Sequence, residues 1–216
     1  MAKREGCRET KGRILSFPVR QAPKFGFERA RKHGKQDLGQ MNLFPARLAE
    51  VRRLPVSIGP FEEALLLDER GDSRAAEAYR RAITEGDCVA DAYCNMGIIE
   101  SDAGRMTKAF DCFTRSLGHD PRHFESHYNL GNLYFGENDL RLAKMHYELA
   151  AEIDPDFPNL FFNLGLVLAL LEETGAAIEA FSRYQLLAPP EERRYADDLI
   201  CELRRSLDTT RRNTLP

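Results

Sequence analysis

The sequence predicts an all-α solenoid of antiparallel helix hairpins, and three observations carry that expectation. The first is a 34-residue repeat: "AYCNMG" at 92–97 aligns with "SHYNLG" at 126–131 and with "LFFNLG" at 160–165. A period of this length marks a stack of similar units, each unable to bury its apolar face alone. The second is a matching set further along each repeat: Ala109, Ala143 and Ala177, then Phe113, Tyr147 and Phe181. The third is a proline near the end of each unit, Pro121, Pro155 and Pro189. Proline cannot continue a helix and biases its predecessor away from the helical region, so it punctuates the repeats.

Each unit then reads as two helices. An aromatic, Asn, apolar, Gly run comes first, a turn follows at "DAGR", "GEND" or "EETG", and an Ala-xxx-aromatic run completes the pair. Glycine costs a helix interior about 1 kcal/mol relative to alanine, so Gly97, Gly131 and Gly165 need a compensating role. A close crossing supplies one: with almost no side chain at Gly131, the second helix can approach through Ala143 and Tyr147.

The predicted units are 58–89, 90–122, 123–156 and 157–189. The first is degenerate, with Ala64 at the Gly position, Ala75, Tyr79 and Ala82 in the second helix, and a turn one residue shorter. In the second unit Glu100 stands where the third has Tyr134, and Ser116 where it has Ala150. In the fourth, Tyr184 takes that small position. After Pro190, residues 190–208 carry Tyr195, Leu199, Ile200, Leu203 and Leu207 at helical spacing, which suits a cap with a polar outer face; a target-binding amphipathic helix is the alternative. Residues 209–216 are expected to be disordered. So are residues 1–40, highly charged and without a sustained period. A short helix at 41–57 is expected to pack Leu48, Val51 and Leu54 on the first repeat.

The net charge of −3 conceals an asymmetry. Residues 1–55 hold 14 Lys/Arg against 5 Asp/Glu, so a basic leader precedes an acidic body. No membrane span is expected: the most apolar stretch, Leu160 to Leu171, is interrupted by Asn163 and Gly165 and falls short of the roughly 20 residues a span needs. The leader has no apolar secretory core, which makes a cytoplasmic location the default. The five cysteines, Cys7, Cys88, Cys94, Cys112 and Cys201, are scattered and fit reduced thiols.

Catalytic motifs are lacking, with no GxSxG, no phosphate-binding glycine loop and no HExxH, so neither an enzyme nor a cofactor is expected. His119, His123 and His127 are spaced by four, as metal ligands on one helix often are, but Pro121 interrupts the series and His127 better fills an aromatic slot; no metal site is expected. The basic leader leaves one alternative class, a nucleic-acid-associated regulator binding phosphates through its tail. Against it stands the absence of any recognition-helix or aromatic RNA-binding signature.

The combination of a 34-residue period with an aromatic, Leu-Gly, aromatic, Ala, aromatic, Ala and Pro at set offsets resembles the tetratricopeptide repeat family. Residues 123–156 match best, through Leu130, Gly131, Tyr134, Ala143, Tyr147, Ala150 and Pro155, with His127 departing from the large aromatic the family prefers. The resemblance implies a right-handed superhelical solenoid with a concave groove lined by first helices, and a scaffold or adaptor that binds protein or extended peptide there. It places Asn95 with Ile98, Asn129 with Asn132, and Asn163 on the groove. Tyr128 and Phe162 neighbour these positions, and Phe135 lies one turn on. Asn95, Asn129 and Asn163 resemble the asparagine ladder of O-linked N-acetylglucosamine transferases. Such amides either grip peptide backbone, having donors and an acceptor, or bond neighbouring helices.

A carboxylate clamp of the chaperone-binding kind is not expected, since Cys94, Tyr128 and Phe162 stand where lysine would serve. Asp91, Asp102 and Glu125 suggest instead a ligand with basic and apolar residues. The chain's own "RILSFPVR" at 13–20 is a candidate occupant, as an intramolecular contact.

Overall fold

The computed structural model describes residues 24–31 and 58–214, with side chains as far as Asp208. Among these residues every regular element is a helix. In chain order they are α1 (Pro60–Glu69), α2 (Ala75–Glu85), α3 (Val89–Asp102), α4 (Met106–His119), α5 (Phe124–Gly136), α6 (Leu140–Ile153), α7 (Pro158–Leu170), α8 (Thr174–Leu187) and α9 (Arg194–Thr214). The chain divides into two compact units, Glu28–Ser126 and a second that joins Met1–Phe27 to His127–Pro216.

In the first unit α1 packs on α2, α2 on α3, and α3 on α4. Helix α1 begins with Pro60, whose missing N–H would have had no partner inside the helix. The next N–H, that of Phe61, is answered by the Asp87 carboxylate at 3.0 Å. Phe61, Ala64, Tyr79, Ala82 and Ala92 form a fully buried core, so the degenerate first repeat packs like the others. The two departures in the second repeat find partners. Glu100 pairs with the Arg105 guanidinium, which holds its carboxyl below the usual range. Ser116 donates to the Ala90 carbonyl at 2.7 Å and accepts from the Ser126 hydroxyl at 2.7 Å.

In the second unit α6 packs on α7, α7 on α8, and α8 on α9. At Gly131 a Cβ would sit 2.5 Å from the Tyr147 ring, and the same holds for Gly165 against Phe181 at 2.7 Å. Gly97 meets Phe113 in the same way in the first unit, at 2.6 Å. The aromatic of each second helix therefore lies flat against backbone that only glycine leaves bare. The turns show the same periodicity: Gly104, Asn138 and Glu172 share a left-handed conformation, with φ of 73°, 62° and 63°. Glycine adopts it freely and asparagine readily; Glu172 is held there by the hairpin that encloses it.

Helix α9 buries Ala196, Leu199, Ile200 and Leu203, but Tyr195 is 51% exposed. Helical spacing alone places Tyr195 in the apolar stripe; its neighbour Ala196 takes the inward position instead, and the Tyr195 ring lies beside the Arg194 guanidinium. The helix also continues past residue 208 to Thr214, since no glycine or proline interrupts it before Pro216. The predicted helix at 41–57 and most of the leader lie outside the described residues. Residues 24–31, expected to share the leader's disorder, are extended and tied down by hydrogen bonds.

Replacing Gly131 by Val forces the fully buried Tyr147 ring to move, and overpacking of this kind costs about 1 to 3 kcal/mol. Thermal unfolding is therefore expected at a lower temperature for Gly131→Val, while Gly175→Val, with nothing near its Cβ, should not lower it, since valine is a better helix former than glycine.

Candidate peptide-binding site

In the second unit, residues 24–26 run extended past the first helices of two repeats. Asn163, fully buried on α7, closes two hydrogen bonds with a single residue: Phe25 N–H donates to its Oδ1 at 2.8 Å, and its Nδ2 donates to the Phe25 carbonyl at 3.0 Å. Asn132 on α5 donates from Nδ2 to the Gly26 carbonyl at 2.8 Å. The orientation of Asn132 is fixed by its other end, whose Oδ1 accepts from the Tyr147 hydroxyl at 2.7 Å and from Asn163 Nδ2 at 2.9 Å. Two donors on one atom identify it as the oxygen, which leaves the amide nitrogen to face the extended chain.

Side chains of the same segment are also held. The Phe25 ring stands edge-on to Phe162 at 5.2 Å and tilted against Tyr184 at 5.9 Å, a favourable aromatic geometry. Lys24 Nζ donates to the Asn132 carbonyl at 2.5 Å and lies 5.2 Å from the Phe135 ring centre. Burial of that ammonium lowers its pKa to about 8.

In the first unit the pattern recurs at Asn95 on α3. Ala30 N–H donates to Asn95 Oδ1 at 2.8 Å, and Asn95 Nδ2 donates to the Ala30 carbonyl at 2.9 Å. Asn95 Nδ2 also lies 3.2 Å from the Tyr79 hydroxyl, which donates in turn to Asp68 at 3.2 Å. Asp68 grips Arg29 with both oxygens, Nε at 2.8 Å and Nη2 at 3.3 Å. Its side chain is only 7% exposed, so the pair is shielded from solvent screening on the carboxylate side.

Asn95, Asn132, Asn163, Phe135 and Phe162 thus contact the 24–31 segment. Tyr128 does so indirectly, its hydroxyl lying 3.1 Å from Asn163 Nδ2. Asn129 and Ile98 are buried on their helices. Asp91 and Glu125, expected to attract a basic ligand, face His123 instead. Asp91 accepts from His123 Nε2 at 3.2 Å, while Glu125 lies 3.6 Å from Nδ1. His123 caps α5, its Nδ1 accepting the Ser126 N–H at 3.2 Å, and that acceptance puts the ring proton on Nε2 toward Asp91. Residues 13–20 lie outside the described region.

Asp68, Tyr79, Tyr184 and residues 24–31 themselves were missed. Asp68 had a readable signal: counted from the Gly position, it is the first repeat's equivalent of Phe135. The two positions hold two of the segment's cations, Arg29 and Lys24. Tyr184, a departure from the repeat pattern, forms one wall around Phe25.

A tetratricopeptide repeat family model matches residues 124–157, the stretch that carries Asn129, Asn132 and the Gly131 crossing. Two solved structures share the helical architecture. The first TPR of Spaghetti (RPAP3), bound to HSP90 peptide SRMEEVD, is 19% identical with a TM-score of 0.51 over 55% of this chain and 93% of that one. MamA is 18% identical with a TM-score of 0.52, over 69% and 96% respectively. One stretch of the chain thus matches the tetratricopeptide repeat, and the helical architecture is similar to that of tetratricopeptide-repeat structures. At such identities the likeness speaks for the fold, and no curated protein matches the sequence. The site chemistry must therefore be read from this chain's own residues.

Within the third repeat, His127 occupies its aromatic slot with an unforeseen neighbour. Its Nδ1 lies 3.1 Å from Nδ1 of His146, whose ring stacks on Tyr134. One imidazole donates and the other accepts. Burial, and then the proximity of His127, lowers the His146 pKa to about 4. Below pH 6.5 the unfolded chain takes up a proton that the folded repeat refuses until about pH 4, so stability falls across that window as pH drops. His146→Phe is expected to flatten the dependence of melting temperature on pH between 6.5 and 4; an unchanged slope would refute the assignment.

Proposed function

We propose that this repeat chain is a non-enzymatic scaffold that binds extended protein segments, reading their backbone through Asn95, Asn132 and Asn163. One observation carries the reading: in each of the two units, an asparagine on a first helix closes the same two-bond pair with one residue of an extended chain, Ala30 at Asn95 and Phe25 at Asn163. A residue in extended conformation presents its N–H and C=O to the same side, and a carboxamide matches both without selecting a side chain. The peptide-bound state of the Spaghetti repeat domain supports the same kind of use.

The test uses the full chain with Phe25→Ala and Arg29→Ala, which release its own segment, and a fluorescent peptide with the sequence of residues 22–33. Measurable binding is expected. Adding Asn95→Ala and Asn163→Ala removes two backbone pairs, each hydrogen bond worth about 1 kcal/mol net, so affinity should fall at least about tenfold with helicity unchanged. Equal binding by the two proteins would exclude the asparagines as the reading element.

A further inference from the structure

We propose that the second unit binds an extended protein segment in which a cationic residue is followed directly by an aromatic one, and that Lys24 and Phe25 occupy the two side-chain subsites in the partner's place. This rests on the backbone-reading function above and adds the selectivity that asparagines cannot supply. Lys24, Phe25 and every residue they touch at the site belong to that one unit.

Residues 24–26 meet partners 106 to 138 residues away in sequence, so the helices receive them as they would a strand from another chain. In an extended chain successive side chains leave on opposite sides. Lys24 reaches α5, where its ammonium meets the Asn132 carbonyl and the face of the Phe135 ring. Phe25 turns to α7 and α8, against Phe162 and Tyr184. Two consecutive residues are thus read by separate subsites, while Asn163 holds the backbone of the second.

The aromatic subsite has walls that are held independently of their occupant. The Phe162 ring packs edge-on to Phe181 with centres 5.5 Å apart and lies 5.1 Å from Tyr184. The Tyr184 hydroxyl donates to the Glu192 carbonyl at 3.3 Å, which anchors the second wall. An occupying ring gains edge-on and tilted contacts with both walls, and an aliphatic side chain of similar volume does not. The other subsite selects by charge: the face of a ring attracts a cation, and the carbonyl oxygen accepts its hydrogen bond. An acidic side chain there would be repelled by both.

Gly26 marks where side-chain selection stops. A Cβ added to it would meet nothing within 4 Å, while its carbonyl accepts from Asn132, so the third position is read through its backbone. Because Lys24 and Phe25 are tethered, they compete at an effective concentration that can reach millimolar. A partner's apparent affinity then falls with the fraction of sites they leave open.

The test titrates synthetic hexapeptides with the sequence of residues 22–27 into the full chain and follows the backbone amides of α7 by NMR, which reads weak binding. Two acceptors are used: Phe25→Ala vacates the aromatic slot, and Phe25→Pro has no N–H to give Asn163. The parent hexapeptide should bind both. Within the peptide, Phe25→Leu should weaken binding at least about threefold and Phe25→Ala at least about tenfold. Lys24→Met, which keeps the stem and removes the charge, should cost at least about threefold, and Phe135→Ala in the acceptor should abolish that cost. Gly26→Ser should stay within about twofold. The unaltered chain should bind the parent at least about tenfold more weakly than either acceptor.

If all peptides bind alike while Asn163→Ala in the acceptor abolishes binding, the side-chain selectivity is overturned and backbone reading stands. Failure of backbone reading shows differently, as undiminished parent affinity in the acceptor carrying Asn163→Ala. A parent peptide that binds neither acceptor overturns the proposal and leaves residues 24–26 as a structural strap. Equal affinity for the unaltered chain and the acceptors overturns the place-holding role. Concentration-dependent dimers of the unaltered chain that Phe25→Ala abolishes would put a second copy, and not a partner protein, in the site.

Discussion

The candidate site depends on one interaction, the pairing of a buried asparagine carboxamide with both backbone groups of a single extended residue. A neighbouring β-strand would satisfy those groups with its own backbone. Here a side chain on a helix does so, at Asn163 for Phe25 and at Asn95 for Ala30. Buried amides that met no partner would each cost about 1 to 3 kcal/mol, and among the described residues no buried side-chain nitrogen or oxygen lacks one. Displacing the segment must therefore bring water or another backbone to the same atoms.

Packing and recognition meet in the aromatic of the second helix. At that position the four repeats carry Tyr79, Phe113, Tyr147 and Phe181, all fully buried. In the last three the ring covers the glycine of the first helix. The two tyrosines add a hydroxyl that reaches the site: Tyr147 donates to Asn132, and Tyr79 donates to Asp68 while lying within hydrogen-bond distance of Asn95. Where the repeat has phenylalanine, no such bond is made. The close crossing that glycine permits is thus what brings a core residue within reach of the polar groups facing the segment. Loss of the crossing would misplace the asparagines as well as open the core.

Much of this was legible in the sequence because a repeat fold rewrites the same contacts at a fixed offset. The period and the glycine crossings follow from 34-residue alignment, which sets Asn95, Asn129 and Asn163 at one register position. What the alignment misses is contact between distant residues. Nothing local in "KFGFERAR" distinguishes it from the rest of a basic leader, because its order comes from partners 39 to 138 residues away, as with Arg29 and Asp68 or Phe25 and Asn163. Asp68 aligns with Phe135 when counted from the Gly position, but an acid where the third repeat has an aromatic does not by itself announce an arginine partner. Asp91 and Glu125 lie beside His123, a neighbour that their positions in the repeat did not announce. Tyr195 and Ala196 differ by one position, and helical spacing alone placed the larger, amphipathic residue inward when the smaller one fits there.

The central claim is that the amides of Phe25 and Ala30 are bonded to Asn163 and Asn95. Residue-resolved hydrogen exchange on the full chain measures this directly. Both amides should exchange much more slowly than a free chain does, and Asn163→Ala should release Phe25 while Asn95→Ala releases Ala30. Exchange of Phe25 and Ala30 at free-chain rates in the unaltered protein would contradict the account.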